Sequence, residues 1–258
     1  SLDEFRKDLQ DVYRHLDNLN RIWGTQYKAW NEVMPPPEDV ARRFDLPAGW
    51  LDFRAFMDKQ FKFFHDRASS VVHKVCSDAC VGFLTDKSNS PYSGYDWHEL
   101  ISKLDYIGIP PKNPMAKRLR SYATKNQHGV LVIEKSPEEA NGKFESFINW
   151  YPWYGLTHGA QFLYLGEAFV GPSPGNLFSS NEILSTMMQT TDNVSSHFGP
   201  ILRAADTYAS EVGIYDSKIN KNYLYLKQNL SENGDYAESS FVQILQDLSV
   251  QFRFITVN

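Results

Sequence analysis

"HGVLVIEKSPEEANG", His128 to Gly142, decides how this chain is read. The apolar run Val130 to Ile133 reads as a buried strand of a parallel sheet. It ends in a carboxylate, Glu134. Ser136, Pro137 and Glu139 then carry the spacing of a helix start: Ser at the cap, Pro at the first position, an acid three residues after the Ser. Glu138 and Glu139 therefore have a local role at a helix N-terminus. Glu134 has none. A buried carboxylate without a partner is costly, so Glu134 calls for a cation, hydrogen-bond donors or a substrate.

Outward from this stretch, strands and helices alternate. Short apolar runs at 81–85, 105–109, 129–134, 160–169 and 211–217, and a final "FRFITV", read as strands with helical segments between them. That order predicts an α/β fold with a mainly parallel sheet or barrel. Before the strands, residues 2–23 read as one helix. Leu2, Phe5, Leu9, Val12, Leu16, Leu19 and Trp23 recur at three- and four-residue steps, and Ser1-x-x-Glu4 forms a capping box. A second helix is expected from Trp50 to His73, with Phe53, Met57, Phe61, Phe64, Ala68 and Val71 on one stripe. Later helices should be kinked or interrupted at Pro152 and bent at Gly199–Pro200.

Ligands of α/β folds bind at the carboxyl ends of the strands. Glu167, in "FLYLGEAF", holds a place on its strand similar to that of Glu134, so the two acids would share a cleft. Paired carboxylates are the equipment of glycoside hydrolysis. The alternative, in which each carboxylate pairs with a nearby Lys or Arg, is equally open on spacing alone.

Composition narrows the classes. With 42% hydrophobic and 14% aromatic residues in 258, the chain can bury a core. A net charge of −5 with no Lys/Arg-rich run argues against a nucleic-acid partner. No apolar run approaches the roughly 18 residues of a membrane span. The two cysteines, Cys76 and Cys80, follow His73 as H-x2-C-x3-C. Tetrahedral zinc needs further ligands, and no second Cys/His pair follows, so neither metal nor cofactor is expected. Phosphate-binding glycine loops and a Gly-x-Ser-x-Gly elbow are missing from the sequence.

Longer motifs carry a resemblance. Leu19, Asn20, Trp23, Gly24 and Thr25, then Tyr27, Trp30 and the prolines 35–37, resemble the region after strand four in glycoside hydrolase family 42. These are β-galactosidases of the clan A barrels. "YDWHELISKLDYIGI" is similar to the approach to strand six, "LVIEKSP" to strand seven, and "LTHGAQFLYL" to strand eight, with His158 in the His-Gly-Ala turn. The resemblance implies the C-terminal half of a (β/α)8 TIM barrel over residues 1–206, strands five to eight. It also implies the start of a second, Rossmann-like α/β domain over 207–258.

The resemblance further implies a retaining glycosidase with Glu134 as nucleophile. The acid/base of the family sits in an Asn-Glu pair on strand four, so it is expected upstream of this chain. Asn31–Glu32 lies in a loop and reads as a coincidence. A glycoside substrate and a homo-oligomer, a trimer in the family, are implied as partners, with a cytoplasmic setting favoured. Loop aromatics Trp23, Tyr27 and Trp30, with Asp86 and Glu167, are the expected substrate contacts, and Tyr92, Tyr95 and Trp97 are similar candidates. Trp150, Trp153 and Tyr154 could line a saccharide subsite or pack a helix against the barrel, and their helical spacing favours packing. The segments "IGIPPKNP", "GEAF" and "FLTDKSN" depart from the family at its sugar-facing strand ends, which puts galactose specificity in question. The rival class is a non-catalytic carbohydrate-binding or scaffold protein built on the same barrel.

Overall fold

A computed structural model describes residues 1–84, 90–109, 115–123, 128–133, 144–157, 160–165, 181–204, 210–228 and 236–256. In chain order the helices and strands are α1 (Leu2–Tyr13), α2 (Leu16–Trp23), α3 (Glu38–Arg43), α4 (Pro47–Val75), β1 (Gly82–Leu84), α5 (Trp97–Ile101), β2 (Tyr106–Ile109), α6 (Met115–Tyr122), β3 (His128–Ile133), α7 (Phe144–Thr157), β4 (Ala160–Leu165), α8 (Asn181–Asp192), α9 (Gly199–Ala204), β5 (Val212–Tyr215), α10 (Lys218–Gln228), α11 (Tyr236–Asp247) and β6 (Phe252–Ile255). By contacts the chain forms two units. One takes Ser1–Arg67, Lys87–Asp96 and Asp216–Tyr236; the other takes Ala68–Asp86, Trp97–Tyr215 and Ala237–Asn258. The sequence division into 1–206 and 207–258 groups residues by resemblance and stands as a proposal.

In the first unit the expected capping box is present: the Ser1 hydroxyl accepts from the Glu4 N–H, and the Glu4 carboxylate accepts from the Ser1 amine. The single helix expected over 2–23 is two helices. Arg14 takes a positive φ of 65° and ends α1, and α2 restarts at Leu16. The break lets the two helices fold on each other. Phe5, Leu9, Leu19, Trp23, Val33 and Phe56 form one buried cluster. Each such side chain contributes roughly 1.5–3 kcal/mol on burial. The sequence reading also missed α3. Glu38 and Asp39 in its first turn, Arg42 and Arg43 in its last, and a Glu38–Arg42 ion pair at 2.7 Å make it a short dipole-matched helix.

Helix α4 corrects another expectation. The stripe assigned to its core is partly outside: Met57 is 42% and Phe64 is 66% exposed. Trp50, Phe56 and Asp58 are buried instead. An apolar surplus around the whole helix, with Phe and Val on several faces, hides which stripe is inside.

The second unit holds a four-stranded sheet in the order β1-β2-β3-β4, and every pairing in it is parallel. Helices α5, α6 and α7 fall between consecutive strands, the winding of a barrel or of a wound sheet. Strand β3 is paired on both sides, which matches its unbroken apolar run. Pro152 does not interrupt the helix: α7 runs without a break from Phe144 to Thr157 with the proline inside it. The irregularity expected at Gly199–Pro200 begins earlier. Residues Asn193–Phe198 form a π-helical segment, and the Gly199 N–H reaches back five residues to Val194 O. Pro200 has no N–H to donate, so the wider turn before it removes a bond that could not form.

The same unit carries a parallel two-stranded sheet of β5 and β6. Its inner face, Phe252 and Phe254, packs with Val242 and partly buried Tyr122, Val212, Ile214 and Leu245. Ser121 Oγ on α6 accepts from the Phe254 N–H at 2.9 Å. Fully buried Arg118, also on α6, pairs with Glu238 on α11 and lies 4.6 Å from the centre of the Phe254 ring.

Candidate functional site

The parallel register pairs Leu84 with Gly108, Ile109 with Leu131, and Ile133 with Leu165. The carboxyl ends of β1 to β4 therefore lie along one edge of the sheet, where α/β folds bind ligands. Glu134 follows Ile133 directly in the sequence, Glu167 stands two residues after Leu165, and Asp86 stands two after Leu84. These three residues and His158 lie outside the described residues.

The tryptophan motif is explained by hydrogen bonds. Asn20 Oδ1 accepts from the Thr25 hydroxyl and the Tyr27 N–H, both at 2.9 Å, and its amide donates to Tyr27 O at 3.0 Å. Gly24 closes α2 at a φ of 68°, a left-handed conformation that favours glycine. Trp23 sits on the last turn of α2 rather than in the loop. It is 3% exposed, and its indole N–H donates to Asp52 Oδ2 at 2.8 Å. The Tyr13 hydroxyl donates to the same oxygen at 2.6 Å. Burial pushes the Asp52 carboxyl up, and these two donors oppose that rise. Burial and Asp52 together raise the Tyr13 phenol. Trp23 is thus an anchor, with no face left for a ligand. Tyr27 and Trp30 are partly buried against the same cluster. Glu32 of the Asn31–Glu32 pair is exposed and accepts from the Lys28 N–H at 2.7 Å, a turn-closing role.

A second constellation forms around the turn Ser90–Asp96. Ser90 O accepts from the Ser93 N–H at 3.1 Å, the Ser93 hydroxyl at 2.7 Å and the Lys218 ammonium at 3.2 Å. Gly94 takes a φ of 75° and lies against Phe61, where a side chain would meet Phe61 Cβ at 3.1 Å. Tyr95 packs on Phe61 with ring centres 5.4 Å apart. Tyr92 stands edge-on to Trp50 and Tyr225, and its hydroxyl donates to Glu38. Arg54 lies over the rings of Phe53 and Tyr92 at 4.8 and 4.9 Å.

Two buried polar atoms in this region, Arg54 Nε and Asp58 Oδ1, have no hydrogen-bond partner among the described residues. Burial pushes the Asp58 carboxyl up to about 6; Lys218 and Arg54 pull it down, and Asp96 adds to the rise. Burial pushes the Lys218 ammonium down, opposed by Asp58, Asp96 and Asp216 and assisted by Lys221. Sequence reasoning missed Asp52, Arg54, Asp58 and Lys218. The available signal was the set of charged residues inside the aromatic stretch "WLDFRAFMDKQF", where Trp50, Arg54, Asp58 and Phe61 share one helical face.

Cys76 and Cys80 are exposed, and His73 Nε2 lies 2.8 Å from Ala79 O and 3.0 Å from Asp105 Oδ2. This histidine fastens the turn before β1. Among the described residues no group of His, Cys, Asp or Glu could hold a metal ion, and no helix is long and apolar enough to cross a membrane.

Comparison with known proteins places these features. The family profile Glyco_hydro_42, described as beta-galactosidase, matches residues 1–132. Beta-galactosidase bgaB of Geobacillus kaustophilus is 25% identical over 158 residues, 57% of this chain and 22% of that protein. The cold-adapted β-galactosidase of Rahnella sp. R3 superposes with a TM-score of 0.72 at 15% identity, over 98% of this chain and 42% of that one. An exo-carrageenase of Bacteroides ovatus superposes with a TM-score of 0.67 at 16% identity, over 98% of this chain and 39% of that one. The chain spans less than a quarter of the curated relative's length and about two-fifths of each solved one. The likeness makes the parallel sheet part of a (β/α)8 TIM barrel.

Proposed function

The chain belongs to glycoside hydrolase family 42, the beta-galactosidase family, and from that premise we propose that it serves hydrolysis of a β-glycosidic bond with retention of configuration. One observation carries the reading. The strand ends Ile133 and Leu165 are register partners in adjacent parallel strands, and the sequence attaches an acid just beyond each. Glu134 is the nucleophile in this reading. Its carboxylate attacks the anomeric carbon while a second carboxylic acid protonates the departing oxygen. The glycosyl ester is then opened by water, with the second group now acting as base. Glu167 and Asp86 hold sugar hydroxyls at the same edge. The rings of Tyr27 and Trp30, beside the motif that Trp23 anchors, are further sugar contacts in this reading. The Asn31–Glu32 pair is not the acid/base, because Glu32 is engaged with the Lys28 N–H.

A β-galactoside is the first substrate to test, because the relatives named above include β-galactosidases. Copies of the chain are proposed to assemble as a homo-oligomer. The test uses the full-length protein and an aryl β-D-galactoside. Proton NMR should show the β-anomer as the first product. Glu134→Gln should lower turnover by about 1,000-fold or more with the fold intact. Turnover unchanged in this variant contradicts the nucleophile assignment. An α-anomeric first product contradicts retention.

A further inference from the structure

Lys218 begins α10, and its ammonium reaches across 128 residues of sequence to cap Ser90 O. That oxygen is the hub of the Ser90–Ser93 turn and already accepts two bonds from Ser93. The turn continues through Gly94 and Tyr95, which are seated on Phe61. The turn comes after β1 in the chain. It presents Tyr92, whose ring is half-exposed although its hydroxyl is held by Glu38. A partly buried lysine at a loop's hub carbonyl is a costly way to close a turn. Asp58, 9% exposed, adds a buried carboxylate oxygen that no described residue hydrogen-bonds.

We propose that Lys218 is a positioning residue for the Ser90–Asp96 turn. The glycosidase reading enters only through the purpose of the turn, which is to hold Tyr92 and Tyr95 for contact with a saccharide. The charged groups that face Lys218 are Asp58 on α4, Asp96 on the turn, and Asp216 before α10 with Lys221 on it, which pair with each other at 2.5 Å; Arg54 on α4 faces Asp58. Glu38 in turn faces Arg54.

The test is hydrogen exchange, resolved to the Ser93 and Tyr95 amides, on wild type, Lys218→Met, Lys218→Gln and Lys218→Arg at pH 7. KM and kcat for an aryl β-D-galactoside are measured in the full-length protein. Lys218→Met should cut protection of the turn by about tenfold while β2 and β3 keep theirs, and Lys218→Arg should restore part of it. KM should rise by about three- to tenfold with kcat within about twofold. Unchanged turn protection in folded Lys218→Met overturns the proposal, as does an equal loss across both units. If Lys218→Met does not fold, Lys218→Gln decides: turn protection equal to that of wild type overturns it. Absence of wild-type turnover refutes the glycosidase reading and leaves the exchange result to judge the tether.

Discussion

The two units bury charge in opposite ways. In the second, Arg118 is fully buried, bonded to Glu238, stacked on Phe254 and in contact with Met115 Sδ. In the first, Asp58 and Arg54 each keep a buried polar atom with no hydrogen-bond partner among the described residues, and burial lowers the pKa of the Lys218 ammonium. A satisfied ion pair locks one packing arrangement. An unsatisfied set is held in place by its surroundings against its own solvation, and such sets gather where chemistry or movement is needed.

Breaking the satisfied pair should have the larger effect. Arg118→Met leaves Glu238 buried and alone, and should destabilise the chain by about 3–5 kcal/mol in chemical denaturation. Adding Glu238→Leu should recover much of that loss. A double variant as unstable as the single one would show that packing of Arg118 on Phe254, rather than charge, carries the effect. Next comes Asp52→Asn, which weakens the acceptor shared by Trp23 and Tyr13. A loss of about 1–2 kcal/mol is expected by the same measurement. Asp58→Asn should differ in sign. It removes a carboxylate that burial penalises, so stability at pH 7 should be unchanged or higher, and the fall in stability between about pH 4 and pH 6 should flatten. A clear loss at pH 7 would place Asp58 with Glu238 as a structural charge. The smallest effect belongs to Cys76→Ser and Cys80→Ser. Both thiols are exposed, so changes within about 0.5 kcal/mol are expected, with no response to chelators.

How much of this was legible depended on the range of the interactions. The capping box at Ser1–Glu4 and the apolar run of β3 are local, and their residues state the outcome directly. The break at Arg14 was hidden because the apolar spacing continues through it; only the convergence of Tyr13 and Trp23 on Asp52 reveals why the chain folds there. Trp23 read as a loop aromatic because its motif ends in a turn, yet its indole N–H had a partner 29 residues away. Lys218 could not be foreseen at all, since its acceptor is 128 residues distant and is a backbone oxygen, which leaves no mark in composition. The strand-end acids were the reverse case. Glu134 and Glu167 stand out because a carboxylate ending a buried strand has no local explanation.

The measurement that tests the account most directly is covalent trapping. Full-length protein would be incubated with a 2-deoxy-2-fluoro-β-galactoside bearing a good leaving group, digested, and analysed by mass spectrometry. The account predicts time-dependent inactivation with one fluorosugar attached at Glu134. Inactivation with the label on another carboxylate, or turnover of ordinary galactosides with no trapped ester at all, would contradict it.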